Sequence, residues 1–395
     1  MSITRPAPTA ARPGEGPEGR PGGWRLSPAA RRDRPAGGLG GRPGFGFIGP
    51  NWFASVMGTG IVANAAATLP VRLPGLLSVA RTVWALDMVL LLVVGAATLL
   101  HWTRHPQTAR GHLAHPVMSH FYGAPAMALM TVGAGALLVG QPLVGQAVAV
   151  GIAGALWTTG TLLGLWTAVA VPYQAFTSHD VGTDAAFGGW LMPVVPPMVS
   201  AATGPLLLAH LPAGQWQLAL QLACTMMFGL TMVVSLVVIT MIWSRLVHHG
   251  VGAAAAVPTL WIVLGPLGQS ITAAHTLGAT AASVLPAPYG GAFEAMGVVY
   301  GAPMWGFAML WMSLATAVTV RTVRAGLPFS LTWWSFTFPV GTVVTGTSGL
   351  AADTGAHFLV VAAAALYVGL LVAWGTVAVR TARGVLSGEL LRGPV

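Results

Sequence analysis

The sequence predicts an all-α integral membrane protein: ten transmembrane helices paired as five helical hairpins around a common axis. Three observations predict it. Hydrophobic residues make up 55% of the chain and charged residues only 7%, where a soluble domain carries about 25% charged residues. About ten apolar stretches have the length needed to cross a bilayer. Those stretches alternate between a type broken by proline or glycine and a type that is not. The composition excludes an ordinary soluble enzyme, a disordered regulator and a coiled coil, since a soluble core cannot hide so much apolar surface.

Residues 1–48 read as a disordered cytoplasmic tail, dense in Pro, Gly and Arg and without a hydrophobic period. They contain no apolar stretch of the kind a signal peptide needs. Residues 49–382 form the membrane domain, and 383–395 a short cytoplasmic C-terminal tail. The expected spans lie near 50–70, 79–102, 119–141, 145–170, 189–209, 216–243, 256–282, 296–320, 331–352 and 356–380. Trp52, Trp84, Trp102, Trp190, Trp216, Trp243 and Trp333 fall near run ends, where an amphipathic ring favours the interface.

Every basic residue is Arg, eighteen in all, giving a net charge of +9. Eight lie in the first 42 residues, in the Pro/Gly-rich tail rather than on a folded basic face, so nucleic acid is not the expected partner. With ten spans, the tail and the loops after spans 2, 6, 8 and 10 share one side and collect sixteen Arg, leaving only Arg72 and Arg81 opposite. The positive-inside rule then places both termini in the cytoplasm of a plasma-membrane protein. The single cysteine, Cys224, excludes a disulfide framework and a Cys-based metal site. No HExxH, Walker A or GxSxG motif is present, and neither cofactor nor metal is expected.

The alternation has a physical reading. Span 1 carries Gly58 and Gly60; span 3, Gly123 and Pro125; span 5, Pro193, Pro196 and Pro197; span 7, Gly265, Pro266 and Gly268; span 9, Pro339 and Gly341. Spans 2, 4, 6 and 10 are rich in Leu, Val and Ala and free of proline, and Pro303 is read as sitting near the start of span 8. Proline removes a backbone donor and kinks a helix. Disturbed backbone in lipid must be satisfied by protein or water. The kinked spans are therefore expected inside and the straight ones outside, facing lipid.

Three strings carry a family resemblance. Pro50-Asn51-Trp52-Phe53-Ala54-Ser55-Val56-Met57-Gly58-Thr59-Gly60 opens span 1. His115-Pro116 with Ser119-His120-Phe121-Tyr122-Gly123-Ala124-Pro125 opens span 3. Trp333-Trp334-Ser335-Phe336-Thr337-Phe338-Pro339 opens span 9. Over residues 45–382 the chain resembles the tellurite-resistance/dicarboxylate transporter family. That family includes bacterial tellurite-resistance permeases, fungal malate permeases and sulfite efflux pumps, and plant slow-type anion channels. The resemblance implies a quasi-five-fold ring of hairpins around a central pore, a homotrimer with one pore per protomer, and a phenylalanine on the ninth helix that occludes it. Phe338 is the best match for that gate and Phe336 the alternative. It further implies passage of small anions, C4-dicarboxylates such as malate or tellurite-, sulfite- or inorganic-type anions, without catalytic chemistry. A proton-coupled carrier exporting a toxic anion or drug is the alternative.

An anion path must offset lost hydration with fixed charge, helix N-termini or backbone donors. No Arg lies in mid-span, so the expected path is apolar with small polar groups. The pore-lining or anion-binding candidates are Thr59, Gly60, His120, Phe121, Pro125, Pro196, Gln269, His275 and Thr342. Asp87 is the one acid clearly within a span, and a buried intramembrane acid marks function or pairing. His275 reads as a protonatable group on an inner helix. His101, His105, His112 and His115 read as a solvated basic loop.

Overall fold

Proline and glycine decide where the helices of this chain begin. The computed structural model describes residues 45–391; the eight Arg of the expected tail and Arg392 lie outside the described residues. Twelve α-helices are present among the described residues, a four-residue one at Gln141–Val144 and eleven longer ones: α1 (Phe53–Thr68), α2 (Leu76–Arg104), α3 (Pro106–Ala114), α4 (Gly123–Gly135), α5 (Gln146–Ser178), α6 (Pro196–Thr203), α7 (Gln215–His249), α8 (Leu264–Val284), α9 (Tyr289–Arg324), α10 (Phe338–Thr354) and α11 (His357–Leu386). The same residues contain no strand. Seven helical segments are long and apolar enough to cross a membrane: α2, Met118–Val144 (which contains α4), α5, α7, Ala254–Val284 (which contains α8), α9 and α11. The protein is therefore a multi-pass membrane protein.

The runs near 50–70, 189–209 and 331–352 make shorter α-helices of 16, 8 and 17 residues. A 3-10 turn takes up the start of each run. The turns are Pro50–Trp52 before α1, Met118–Tyr122 before α4, Gly188–Leu191 ahead of α6, Ala254–Val263 before α8 and Leu331–Phe336 ahead of α10. Proline stands early in α6 and α10, where its missing N–H costs nothing. The turns abut at glycine: a Cβ on Gly123 would overlap the Met192 carbonyl, and one on Gly188 the Thr259 carbonyl. Only glycine permits backbone to approach backbone so closely.

Two kinds of helix result. In α1 and α10 nearly every residue is buried. The long helices bury one stripe each; on α9 it runs Gly290, Gly297, Gly301, Ala308, Trp311 and Ala315. Their other faces expose large apolar side chains such as Val169, Phe176, Met226 and Val299. Water would penalise such faces, and hydrocarbon does not. Each short or kinked helix packs on the long helix that follows it: α1 on α2, α4 on α5, α6 on α7, α8 on α9, α10 on α11. Contacts also join α1 to α4, α4 to α6, α6 to α8, α8 to α10, and α10 to α1.

A repeated hydrogen bond fixes this packing. Each long helix donates a side-chain N–H to the next buried helix: Trp84 to the Val132 carbonyl (3.0 Å), Trp157 to the Ser200 carbonyl (3.1 Å), Gln221 to the Leu277 carbonyl (3.0 Å), Trp305 to Thr347 Oγ1 (2.9 Å) and Trp374 to Thr59 Oγ1 (3.1 Å). A buried indole N–H needs a partner, and carbonyls near kinks supply some of them.

The structure differs from the sequence reading in three places. Trp84 is 2% exposed, a packing residue rather than an interfacial anchor. Pro303 lies well inside α9, which starts at Tyr289, seven residues before the expected start of span 8. Within the expected N-terminal tail, Phe45–Phe47 form a 3-10 turn and Ile48 is buried; at the other end α11 continues to Leu386.

Candidate functional site

Five segments converge on one small void of about 20 Å³, close to the space that one water needs. Met57 of α1 lines it, with Phe121 and Met127 of the Met118–Val144 segment, Met192 and Val195 before α6, Ile262 and Gly265 at the start of α8, and Phe338 of α10. These are the five segments that open with 3-10 turns. The lining is almost wholly apolar.

Phe338 reaches this place through a local change of backbone. The 3-10 turn Leu331–Phe336 ends at Thr337 (φ −104°, ψ −76°), whose hydroxyl donates to the Trp334 carbonyl at 2.7 Å. The α-helix then starts at Phe338, which is 1% exposed and among the largest fully buried side chains. Phe336 takes another direction. It packs edge-on against Trp261 (5.5 Å) and Trp333 (5.7 Å) and lines a separate groove of about 480 Å³ among α9, α10 and α11. Of the two rings, Phe338 is the one in the central void.

The remaining candidates divide. Phe121 lines the void. Gln269 lies one helical turn beyond Gly265 on α8, 4% exposed, and its Oε1 has no hydrogen-bond partner. His120 is buried, stacked parallel to Trp190 (6.2 Å) and edge-on to Phe187 (5.8 Å). The Trp190 Nε1 is buried without a partner, while the His120 ring lies against the Val117 and Pro116 backbone. Pro125 is partly exposed on α4.

Four other candidates face neighbouring helices. Thr59 accepts the Trp374 N–H of α11. Gly60 lies against Asp87 of α2. Pro196 packs on Gly164 of α5. Thr342 donates to the Leu264 carbonyl (3.1 Å) and the Pro339 carbonyl (2.6 Å). Small polar residues in membrane helices serve helix packing as readily as a path, and the sequence does not separate the two.

His275 acquires a partner that the sequence reading missed. Its Nδ1 lies 2.8 Å from Asp353 Oδ1, both side chains being about one quarter exposed. Asp353 sits one residue past the expected end of span 9, so the survey of intramembrane acids overlooked it. Thr272 and Thr345, bonded to each other at 2.7 Å, lie on the same two helices between Gln269 and this pair. The i, i+3, i+6 spacing of Gln269, Thr272 and His275 was the signal in the sequence.

The loop histidines are more ordered than a solvated loop. His101 of α2 stacks on His112 of α3 at 5.2 Å and lies 6.1 Å from His105. Burial, then the neighbouring His101 and His115, lowers the His112 pKa; burial, then His179, lowers that of His115. Among the described residues no His/Cys/Asp/Glu group has metal-holding geometry.

A multi-pass membrane chain whose five buried segments meet at an apolar void, with a few uncharged polar groups nearby, fits the class of membrane transport proteins. The voltage-dependent anion channel (SLAC1) family matches residues 48–382, and the chain belongs to that family. Among its relatives, the sulfite efflux pump SSU1 of Arthroderma otae is 30% identical over 76% of this chain and 80% of its own length. An uncharacterized transporter of Methanocaldococcus jannaschii is 28% identical over 87% of this chain and 95% of its own. The malic acid transport protein of Schizosaccharomyces pombe is 23% identical over 73% and 67%. Members of the family move anions across membranes as transporters or channels and are not enzymes.

Proposed function

We propose that the chain moves small anions along an axial path through each protomer, closed at its narrowest point by the Phe338 ring. One observation carries this reading: Phe338 is 1% exposed and shares a void of about 20 Å³ with side chains from five separate segments. A water-sized void lined by apolar side chains holds back a hydrated ion. Displacing the ring opens the path.

The ten-span, five-hairpin ring is part of the same proposal. The contacts α1–α4–α6–α8–α10–α1 close on themselves, and each long helix bridges two members of that circuit. The repeated side-chain donor from each long helix to the next buried one supports a five-fold arrangement. We place both termini in the cytoplasm of a plasma-membrane homotrimer. Residues 49–382 serve as the transport domain between cytoplasmic tails.

His120 and Trp190 stand beside the constriction, the Trp190 ring nitrogen unused, and Gln269 stands beyond it with an unpartnered amide oxygen. Rotating that amide presents its N–H₂ to an anion. His275 and Asp353 flank the α8–α10 face further along. Sulfite and simple inorganic anions are favoured over malate, because the sulfite pump is the more similar of the two transport relatives with named substrates. A proton-coupled carrier is the second reading, favoured by the buried acid Asp87. Purified protein in liposomes is tested with sulfite, malate, nitrate and chloride. Flux of at least one is expected; no flux of any, in folded protein, refutes the proposal.

A further inference from the structure

Asp87 is wholly buried on the inward stripe of α2, where α1, α2 and α4 meet. Neither carboxyl oxygen has a hydrogen-bond partner. Asn64 of α1, one turn past Gly60, likewise leaves its Oδ1 buried and unpartnered, its N–H₂ being given to the Thr131 carbonyl at 3.0 Å. Two other donors of this layer are already used: Trp84 Nε1 on the Val132 carbonyl, and Thr131 Oγ1 on the Met127 carbonyl at 2.7 Å. The layer thus holds three unpartnered acceptor oxygens against one remaining donor, the second N–H of Asn64.

An excess of buried acceptors calls for a positive occupant, since an unpaired ionised carboxylate in this setting costs several kcal/mol. Packing decides which occupant fits. A Cβ on Gly60 would overlap Asp87 Oδ2 and lie 2.9 Å from Thr131 Cγ2; one on Gly135 would lie 3.0 Å from Asn64 Oδ1 and 2.9 Å from Trp84 Nε1. Helices this close leave no room for the five or six oxygen ligands of a metal cation. A proton needs none. No charged side chain compensates nearby. Neither α1 nor α4 carries a titratable residue. On α2, Arg81 stands six residues away, about 9 Å along the axis. His101, with Arg110 and His112 of α3, lies at the far end, about 21 Å from Asp87.

We propose that Asp87 is a proton-binding site within the membrane, carrying its proton at neutral pH and releasing it only when α1 shifts against α2. The path is close at hand. Met57, one turn before Gly60, lines the central void, and Gly58 and Gly60 leave α1 bare on two sides. Movement of α1 that widens the constriction therefore alters the surroundings of Asp87, which ties proton binding to anion passage. This second step rests on the transport reading above; the proton site itself does not.

Two measurements test it. Infrared difference spectra of Asp87→Asn against wild type, in liposomes at pH 7, read the carbonyl band of a protonated carboxyl. The band is expected in wild type and absent from the variant. Gly60→Ala, which presses on Oδ2 from α1, is expected to shift it. Spectra alike in all three proteins overturn the proton site, whether or not the protein transports anything. Nitrate flux under an imposed pH gradient reads the coupling, because nitrate carries no proton of its own. Wild-type flux is expected to follow the gradient, and Asp87→Asn flux to persist without following it. Equal gradient dependence in the two proteins, or none in wild type, overturns the coupling. Absence of flux for every anion condemns the transport reading and leaves the infrared result standing.

Discussion

Replacing Phe338 with Ala removes six ring carbons from the tightest point of the fold. Truncation leaves a vacancy of roughly 100 Å³, costing about 3–5 kcal/mol of stability if it stays empty. Open to the existing void, a vacancy of that size holds on the order of three waters at about 30 Å³ each. Water entering this space lessens the stability cost and replaces a dry plug with a hydrated neck. Lowering the barrier by about 1.4 kcal/mol raises flux tenfold, and partial hydration of a unit charge supplies more than that. Anion efflux from proteoliposomes containing Phe338→Ala is therefore expected to rise at least about tenfold. Phe338→Leu is expected to fall between the two, and Phe338→Trp to conduct no better than wild type. Unchanged efflux in Phe338→Ala, with an unaltered elution profile, refutes the assignment of the plug.

Phe336→Ala, which opens only the groove between α9 and α11, is expected to leave efflux near wild type; a rise like that of Phe338→Ala moves the plug to Phe336. Trp305→Phe and Trp374→Phe each remove one inter-helix hydrogen bond and are expected to cost about 1 kcal/mol apiece, read as lowered melting temperatures in detergent. Gly188→Ala forces a methyl into the Thr259 carbonyl and is expected to destabilise by about 1–3 kcal/mol or more, seen as loss of the monodisperse peak. His112 and His115 have pKa values below the ordinary 6.5 in the fold. The unfolded chain thus binds more protons at acid pH, and stability falls as pH drops through 6.5 towards the folded values. Melting temperature measured across that range is expected to fall on acidification, with a shallower slope in His112→Gln and His115→Gln.

Much of this fold is legible in the sequence because hydrocarbon solvent imposes severe rules. Apolar runs such as those of α2, α7 and α11 read directly as long helices. The proline of Thr337-Phe338-Pro339 marks the start of α10, since it cannot sit in a helix interior without cost. The direction of a side chain is less legible. Phe336 and Phe338 differ by two positions, and which of them turns inward depends on the 3-10 turn that ends at Thr337. Sequence period alone assumes α geometry throughout. The same limit explains Thr59 and Thr342: a hydroxyl on a buried helix looks identical in sequence whether it faces a path or a neighbouring helix. His275–Asp353 was hidden for a simpler reason, a boundary placed one residue short.

The 3-10 turns explain why an apolar neck suits an anion path without fixed charge. At Gly123 and Gly188 the turns bring backbone against backbone, and the five segments lie close enough for Met57, Phe121, Met192, Ile262 and Phe338 to line one void. A buried Arg at this position would hold an anion tightly and slow its release. On the proposed reading, uncharged groups beside the neck, the Trp190 indole and the Gln269 amide, offer hydrogen bonds weak enough to let an anion go. The cost of stripping water from the ion is then met only while the ring is displaced. On the proposed transport reading, the position of the Phe338 ring, more than any charge, governs whether the path conducts.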